Sequence, residues 1–307
     1  LADGAREEPI ARALAAWAQR LEVGSPRTAK VYAREAQAFL AFIAQARGPL
    51  FNSLLNATPS DCLAFVHATT GLSASSRAVK AAVLRGLFAA LVVEGLRMTN
   101  PADAIKVRHA QSGKHHRAVP RGLVIDVLRR LGASDDAQDV RDRALLLMTL
   151  NLAARRHEVG ALNVGSMERD EGGKAHVQFT GKGSKSARMV IHASVVGAVD
   201  RWLAVGGHGG DPAAPLFFNV SHRPEHRGRR LTGAGIACIV KRLLPGFSPH
   251  CLRARSITDA WTESGKNLHV AQAFARHSTP AITASVYVQP ESEEWAQGYA
   301  LDYGALA

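Results

Sequence analysis

Apolar and polar positions alternate along this chain with two different periods. From residue 10 to about residue 95, apolar residues recur every three or four positions, the spacing of helices with one buried face. Residues 10–45 read as two successive helices, and Ser25 and Pro26 suit the start of the second as cap and first helical residue. Beyond them Ala29, Tyr32, Ala33, Ala36, Phe39, Leu40 and Ile43 draw one apolar stripe. A further helix is expected to begin near Ser60 and Asp61. Another should fill 75–94, with Val79, Val83, Leu87 and Leu91 inward and Gly95 and Asn100-Pro101 marking its end.

The stretch 105–120 has no periodicity and carries Lys106, Arg108, Lys114, His115, His116 and Arg117. It predicts a division into a helical first domain (1–104), a basic linker (105–117) and a second domain (118–307). In the second domain, helices are expected at 121–131 and 141–151, on either side of an acidic turn (Asp135, Asp136, Asp139). Residues 175–180 and 187–192 then alternate with a period of two around GKGSKS, which predicts a hairpin. A helix at 193–205, a short strand at LFFNV, a basic loop (SHRPEHRGRR) and a helix opening at Thr232 follow. From about 249 the chain reads as helical, with breaks near Gly265 and at Ser278–Pro280. The expected fold is mainly α, two domains, with one small β-sheet.

Charge narrows the choice of partner. The formal net charge is +12, and residues 291–307 hold four acids (Glu291, Glu293, Glu294, Asp302) and no base, so the remainder carries about +16. Such an excess favours a polyanion, because phosphate contacts release condensed counterions. Cys62, Cys238 and Cys251 form no CxxC pair, which argues against a structural zinc site and a disulfide scaffold. No run of eighteen apolar residues occurs, and LADGAREEPI lacks the order of a signal peptide. The expectation is a soluble, cytoplasmic, nucleoid-associated protein without membrane insertion. On the first domain Arg27, Lys30, Arg34, Arg77, Lys80 and Arg85, and on the second Lys185, are candidates for DNA phosphates, with a merely solvated face as the alternative.

Single candidates for chemistry are weak. Arg155 with Glu158 three residues on is a common structural pair; Lys182 and Lys185 sit in a hairpin tip; GKGSKS lacks the GxxxxGK[ST] spacing of a nucleotide-binding loop. His250 and Arg253, three apart at a helix start, share a face that suits an anion. His277 and Tyr287 flank a short helical stretch in RHSTPAITASVY. Together, two arginines, two histidines, a lysine and a late tyrosine suit one phosphodiester, because arginine's fork matches phosphate oxygens and keeps its charge.

In that combination the chain resembles the tyrosine recombinases of the Xer and phage-integrase family over nearly its whole length. AARRHEVGAL matches the first box, with Arg155 as its arginine and Glu158 as the associated acid. GKGSKSARMV places Lys182 at the catalytic lysine. SPHCLR supplies His250 and Arg253, and ARHSTPAITASVY supplies His277 and the nucleophile Tyr287. SPRTAKVYAREAQAFLAF, SSRAVKAAVLRGLF and NPA resemble the family's N-terminal core-binding domain. Four departures stand out: Ala153-Ala154 where glycine-leucine is usual, Ala254 where histidine is frequent, Arg276 where glycine is usual, and a ten-residue step from His277 to Tyr287, one longer than expected.

The resemblance implies a two-domain clamp around duplex DNA, a 3′-phosphotyrosine intermediate, a Holliday junction and a homotetrameric assembly on two recombination sites, with no metal or other cofactor. It further implies exchange of the acidic tail (Trp295, Leu301, Tyr303) between neighbouring subunits. Lys182, rather than Lys185, is the expected general acid. A related recombinase or a DNA translocase is an expected partner, and the core-binding helices starting near residue 10 favour Xer-type chromosome dimer resolution. The alternatives are a mobile-element integrase, a type IB topoisomerase, or a DNA-binding relative without catalysis.

Overall fold

In the computed structural model the described residues are 4–24, 26–48, 50–107, 117–180, 186–221, 223–277, 279–280 and 283, with side chains for all but 4–7, 27, 50–52, 180 and 186. The chain separates into two compact units, residues 1–112 and 113–307.

The first unit is helical: α1 (Gly4–Gly24), α2 (Pro26–Arg47), α3 (Leu50–Leu55), α4 (Pro59–His67) and α5 (Ala74–Val93). The apolar stripe of α2 is buried at Ala29, Ala36, Phe39 and Ile43, while Ala33 is exposed. Phe39 sits edge-on to Phe65 of α4 and Phe88 of α5, with centroids 5.2 and 5.7 Å away. Three aromatic rings from three helices thus form the centre of one core. Helix α4 starts earlier than its sequence suggests because Thr58 caps it. The Thr58 hydroxyl accepts from Asp61 N–H, and the Asp61 carboxylate accepts from Thr58 N–H at 2.7 Å. Arg97 ties α3 to this turn by donating to the carbonyls of Leu54, Leu55 and Ala57.

Helix α5 buries Val83, Leu84, Leu87, Phe88 and Leu91, but Val79 is exposed. The inward stripe therefore runs through Leu84 and Phe88 instead of Val79. Lys80 is also corrected: its ammonium lies 3.9 Å from the centre of the Phe65 ring and 3.6 Å from Glu35, with the side chain only 13% exposed. A lysine so placed holds helices together and does not project toward a ligand.

The second unit holds α6 (Arg121–Gly132), α7 (Ala137–Asn151), α8 (Arg156–Ala161), β1 (Met167–Arg169), β2 (Ala175–Thr180), β3 (Ser186–Val190), α9 (Ala193–Gly206), α10 (Gly233–Leu243), α11 (Pro249–Glu263) and α12 (Leu268–Ala275). The acidic turn is the N-terminus of α7, where Asp136 accepts from the N–H groups of Gln138 and Asp139. The three strands form an antiparallel sheet in sequence order, with Phe179 opposite Ala187 across β2 and β3. The third strand stops at Val190, since His192 already caps α9 through Ser194 N–H. LFFNV forms no strand; it makes the isolated bridge Phe218–Arg230 and single backbone hydrogen bonds, such as Leu216 N–H to the Leu162 carbonyl at 2.9 Å. The main core surrounds the fully buried Trp202, whose indole N–H donates to the Leu216 carbonyl at 2.7 Å. A smaller cluster of Ala153, Ile257, Ala271 and Ala275 lies where α7, α11 and α12 meet.

Candidate strand-transfer site

Two left-handed turns organise the site. Helix α7 ends at Asn151, and the chain turns through Ala153, whose φ is 42°, before Arg155 caps α8. Helix α12 ends at Ala275, and Arg276, with φ of 53°, turns the chain into His277. These are two of the positions where glycine is the usual residue, and left-handed backbone explains that preference because only glycine adopts it without steric cost.

Arg253 joins the two turns. It is 1% exposed on α11, and its guanidinium donates to the carbonyls of Ala153 and Ala275. Each carbonyl belongs to the residue two positions before a site residue, Arg155 and His277 respectively. Burying a guanidinium demands such acceptors, so a single side chain sets both turns in place.

Glu158 organises the remaining charge. One carboxylate oxygen accepts from the Arg155 guanidinium at 2.9 Å; the other accepts from the Arg155 backbone N–H at 2.8 Å and from Arg276 at 2.7 Å. Burial alone raises the pKa of this carboxyl, but the Arg155 N–H and the two guanidiniums outweigh it and hold the group below its ordinary value. The Arg155 side chain is 37% exposed, so part of its fork faces solvent.

His277 is a strongly perturbed base. Its pKa falls to about 4 because the ring is buried and because the positive charges of Arg253, Arg155, His250 and Arg276 act on it. His277 is therefore neutral near pH 7. Its Nδ1 lies 2.9 Å from the hydroxyl of the buried Thr283, and Gln272 donates to its carbonyl at 3.3 Å. When Thr283 donates to Nδ1, the imidazole keeps its proton on Nε2 and offers a neutral donor. His250 is the second residue of α11 and is exposed, whereas Arg253, one turn on, is buried.

The structure thus brings together Arg155, Glu158, His250, Arg253 and His277. Lys182, Lys185 and Tyr287 lie outside the described residues, as do Trp295, Leu301 and Tyr303 of the tail and the side chain of Arg27. Of the candidates on the first unit, Lys30 and Arg34 are exposed, Arg34 pairing with Glu35 at 2.8 Å, and Arg77 and Arg85 are half-buried. Sequence reading missed Arg276 and Thr283 as parts of the site. An arginine at a glycine position was the visible signal for the first. Among the described residues no group of three His, Cys, Asp or Glu side chains is placed to hold a metal ion, and no helix is long and apolar enough to cross a membrane.

Comparison with known proteins identifies the family. Residues 124–294 match the phage integrase family, and residues 14–95 match the phage integrase N-terminal SAM-like domain. Tyrosine recombinase XerC of Vibrio campbellii is 27% identical over 235 residues, covering 75% of this chain and 71% of the relative. XerC of Vibrio cholerae is 26% identical over 237 residues with the same shares covered. Among solved structures, the XerH site-specific recombinase in a post-cleavage complex with palindromic difH substrate superposes with a TM-score of 0.71 at 19% identity, covering 88% of this chain and 79% of that one. A lambda integrase dimer bound to a COC′ core site gives 0.63 at 14% identity, covering 90% and 77%.

Proposed function

This chain belongs to the phage integrase family and is a tyrosine recombinase, and from that premise we propose that it exchanges strands between two duplex DNA sites with Tyr287 as nucleophile. The observation that carries the reading is Arg253, whose buried guanidinium joins the turn before Arg155 to the turn before His277. It gathers cationic and hydrogen-bonding groups around one point, as a phosphodiester in transit requires.

In this reading the Tyr287 oxygen attacks phosphorus, a 3′-phosphotyrosine bond forms and the bond to the 5′-oxygen breaks. Lys182 gives its proton to the leaving 5′-oxygen and His250 takes the proton of the tyrosine. Arg155 and Arg253 stabilise the charge on the non-bridging oxygens, and neutral His277 adds a hydrogen bond. A 5′-hydroxyl of the partner duplex then attacks phosphorus and releases Tyr287. The ester conserves the bond energy, so neither nucleotide hydrolysis nor a metal is needed.

Duplex binding is supported by the likeness to the XerH recombinase bound to difH substrate and to the lambda integrase dimer bound to a COC′ core site, and the reading extends it to four copies acting on two duplexes. Chromosome dimer resolution is the role we propose for it, as the resemblance to Xer-type recombinases implies. To test the reading, a recognition duplex is selected by binding from random sequences, and two copies are placed on a supercoiled plasmid. Exchange between the copies in EDTA is the expected result. Relaxation of the plasmid with no exchanged product would instead assign a topoisomerase, and binding without either would assign a non-catalytic relative.

A further inference from the structure

We infer that Arg276 is a positioning residue of the strand-transfer site, one that binds Glu158 so that Arg155 keeps a fixed orientation and its charge remains available to the scissile phosphate. The inference rests on the phosphate-binding reading of Arg155.

Arg276 stands at a left-handed position that glycine fills without steric cost, so backbone conformation gives no reason for an arginine there. Its side chain supplies the reason. Only 16% exposed, it runs back across the site to donate to the Leu152 carbonyl at 2.8 Å and to Glu158 at 2.7 Å. Its guanidinium carbon lies 4.8 Å from the centre of the Phe179 ring on β2, a cation–π contact. Helix end, sheet and first motif are thereby tied by one side chain.

The electrostatic effect follows from counting charges. Glu158 with Arg155 alone is a neutral pair, and a buried carboxylate facing a guanidinium cancels much of the field that guanidinium can offer to a phosphate. With Arg276 on the second oxygen, the same three groups carry one net positive charge. Glu158 then serves as a bracket for Arg155, gripping its backbone N–H and its side chain together, while Arg276 takes up the carboxylate's charge.

The test uses the full chain on suicide duplexes of its selected site, with either a phosphodiester or a neutral methylphosphonate at the scissile position. Arg276→Gly fits the backbone and removes the guanidinium. It is expected to slow single-turnover cleavage of the phosphodiester by about tenfold to a hundredfold, with affinity for the duplex within about threefold of wild type. On the methylphosphonate, which has no negative non-bridging oxygen to stabilise, the defect should shrink to within about threefold. Arg276→Lys, which keeps a charge but loses the fork, should fall between wild type and Arg276→Gly. Equal loss on both duplexes would mark a merely structural role and overturn the inference, as would wild-type cleavage of the phosphodiester. Should Arg276→Gly fail to fold, the same comparison of the two duplexes with Arg276→Lys decides between these outcomes. Arg155→Ala separates the two levels: if it is crippled while Arg276→Gly cleaves normally, only the role of Arg276 falls. If Arg155→Ala itself cleaves at the wild-type rate, the reading of the site falls with it.

Discussion

At the scale of single residues, backbone conformation and side-chain identity are at odds at Ala153, and that conflict can be measured. An alanine with φ of 42° sits in a region that disfavours any Cβ. Ala153→Gly is expected to stabilise the protein by about 1 kcal/mol in denaturant unfolding and to leave cleavage intact; a destabilised variant would show that the methyl's packing in the small core of Ile257, Ala271 and Ala275 outweighs the strain. His277 makes a prediction about pH. Its folded-state pKa, about 4, lies below its ordinary 6.5, so the unfolded chain binds the extra proton between those values. Stability should be level above pH 6.5 and fall as pH drops toward 4, and His277→Gln should flatten that fall in unfolding curves taken at each pH. The residues that the structure brings together, Arg155, Glu158, His250, Arg253 and His277, were legible in the sequence through the family's motifs, and phosphate chemistry accounts for their types. The partners of Arg276 and Thr283 were not, since left-handed turns and contacts between residues more than a hundred positions apart, such as Arg276 with Glu158, leave no local pattern.

At the scale of elements, long helices were legible and short pieces were not. Helices α2, α5, α9 and α10 show several turns of periodic pattern or a clear cap. By contrast α3 and α8 have six residues each and β1 has three, too few for a period to repeat. The LFFNV segment has the composition of a strand, but Leu216 and Phe217 are buried in the core, and their backbones make single hydrogen bonds with Leu162 and Leu231 that do not extend into a sheet. Lys80 shows how a charge can be misread when only its helix is considered: Glu35 and Phe65, on other helices, decide its direction. Lys80→Ala is therefore expected to lower the melting temperature and to leave the slope of log affinity against log salt unchanged. Lys30→Ala, from an exposed position, should reduce that slope by roughly one unit if it meets a phosphate. A reduced slope for Lys80→Ala with unchanged stability would reverse this assignment.

At the scale of the whole molecule, the two units each enclose a core, and the family motifs divide between them: the SAM-like match falls in the first and the phage integrase match in the second. Strand transfer by this account is a property of the second unit's cation cluster acting with a tyrosine that follows it in sequence. The most direct test is to trap the protein on a nicked suicide duplex of its selected site, digest it, and identify by mass spectrometry the peptide that carries the nucleotide. The expected result is a 3′-phosphodiester adduct on Tyr287, formed in the presence of EDTA and abolished by Tyr287→Phe while duplex binding stays within about threefold, since the basic surface is untouched. An adduct of wild-type yield in the Tyr287→Phe protein, or one mapped to any other residue, would contradict it.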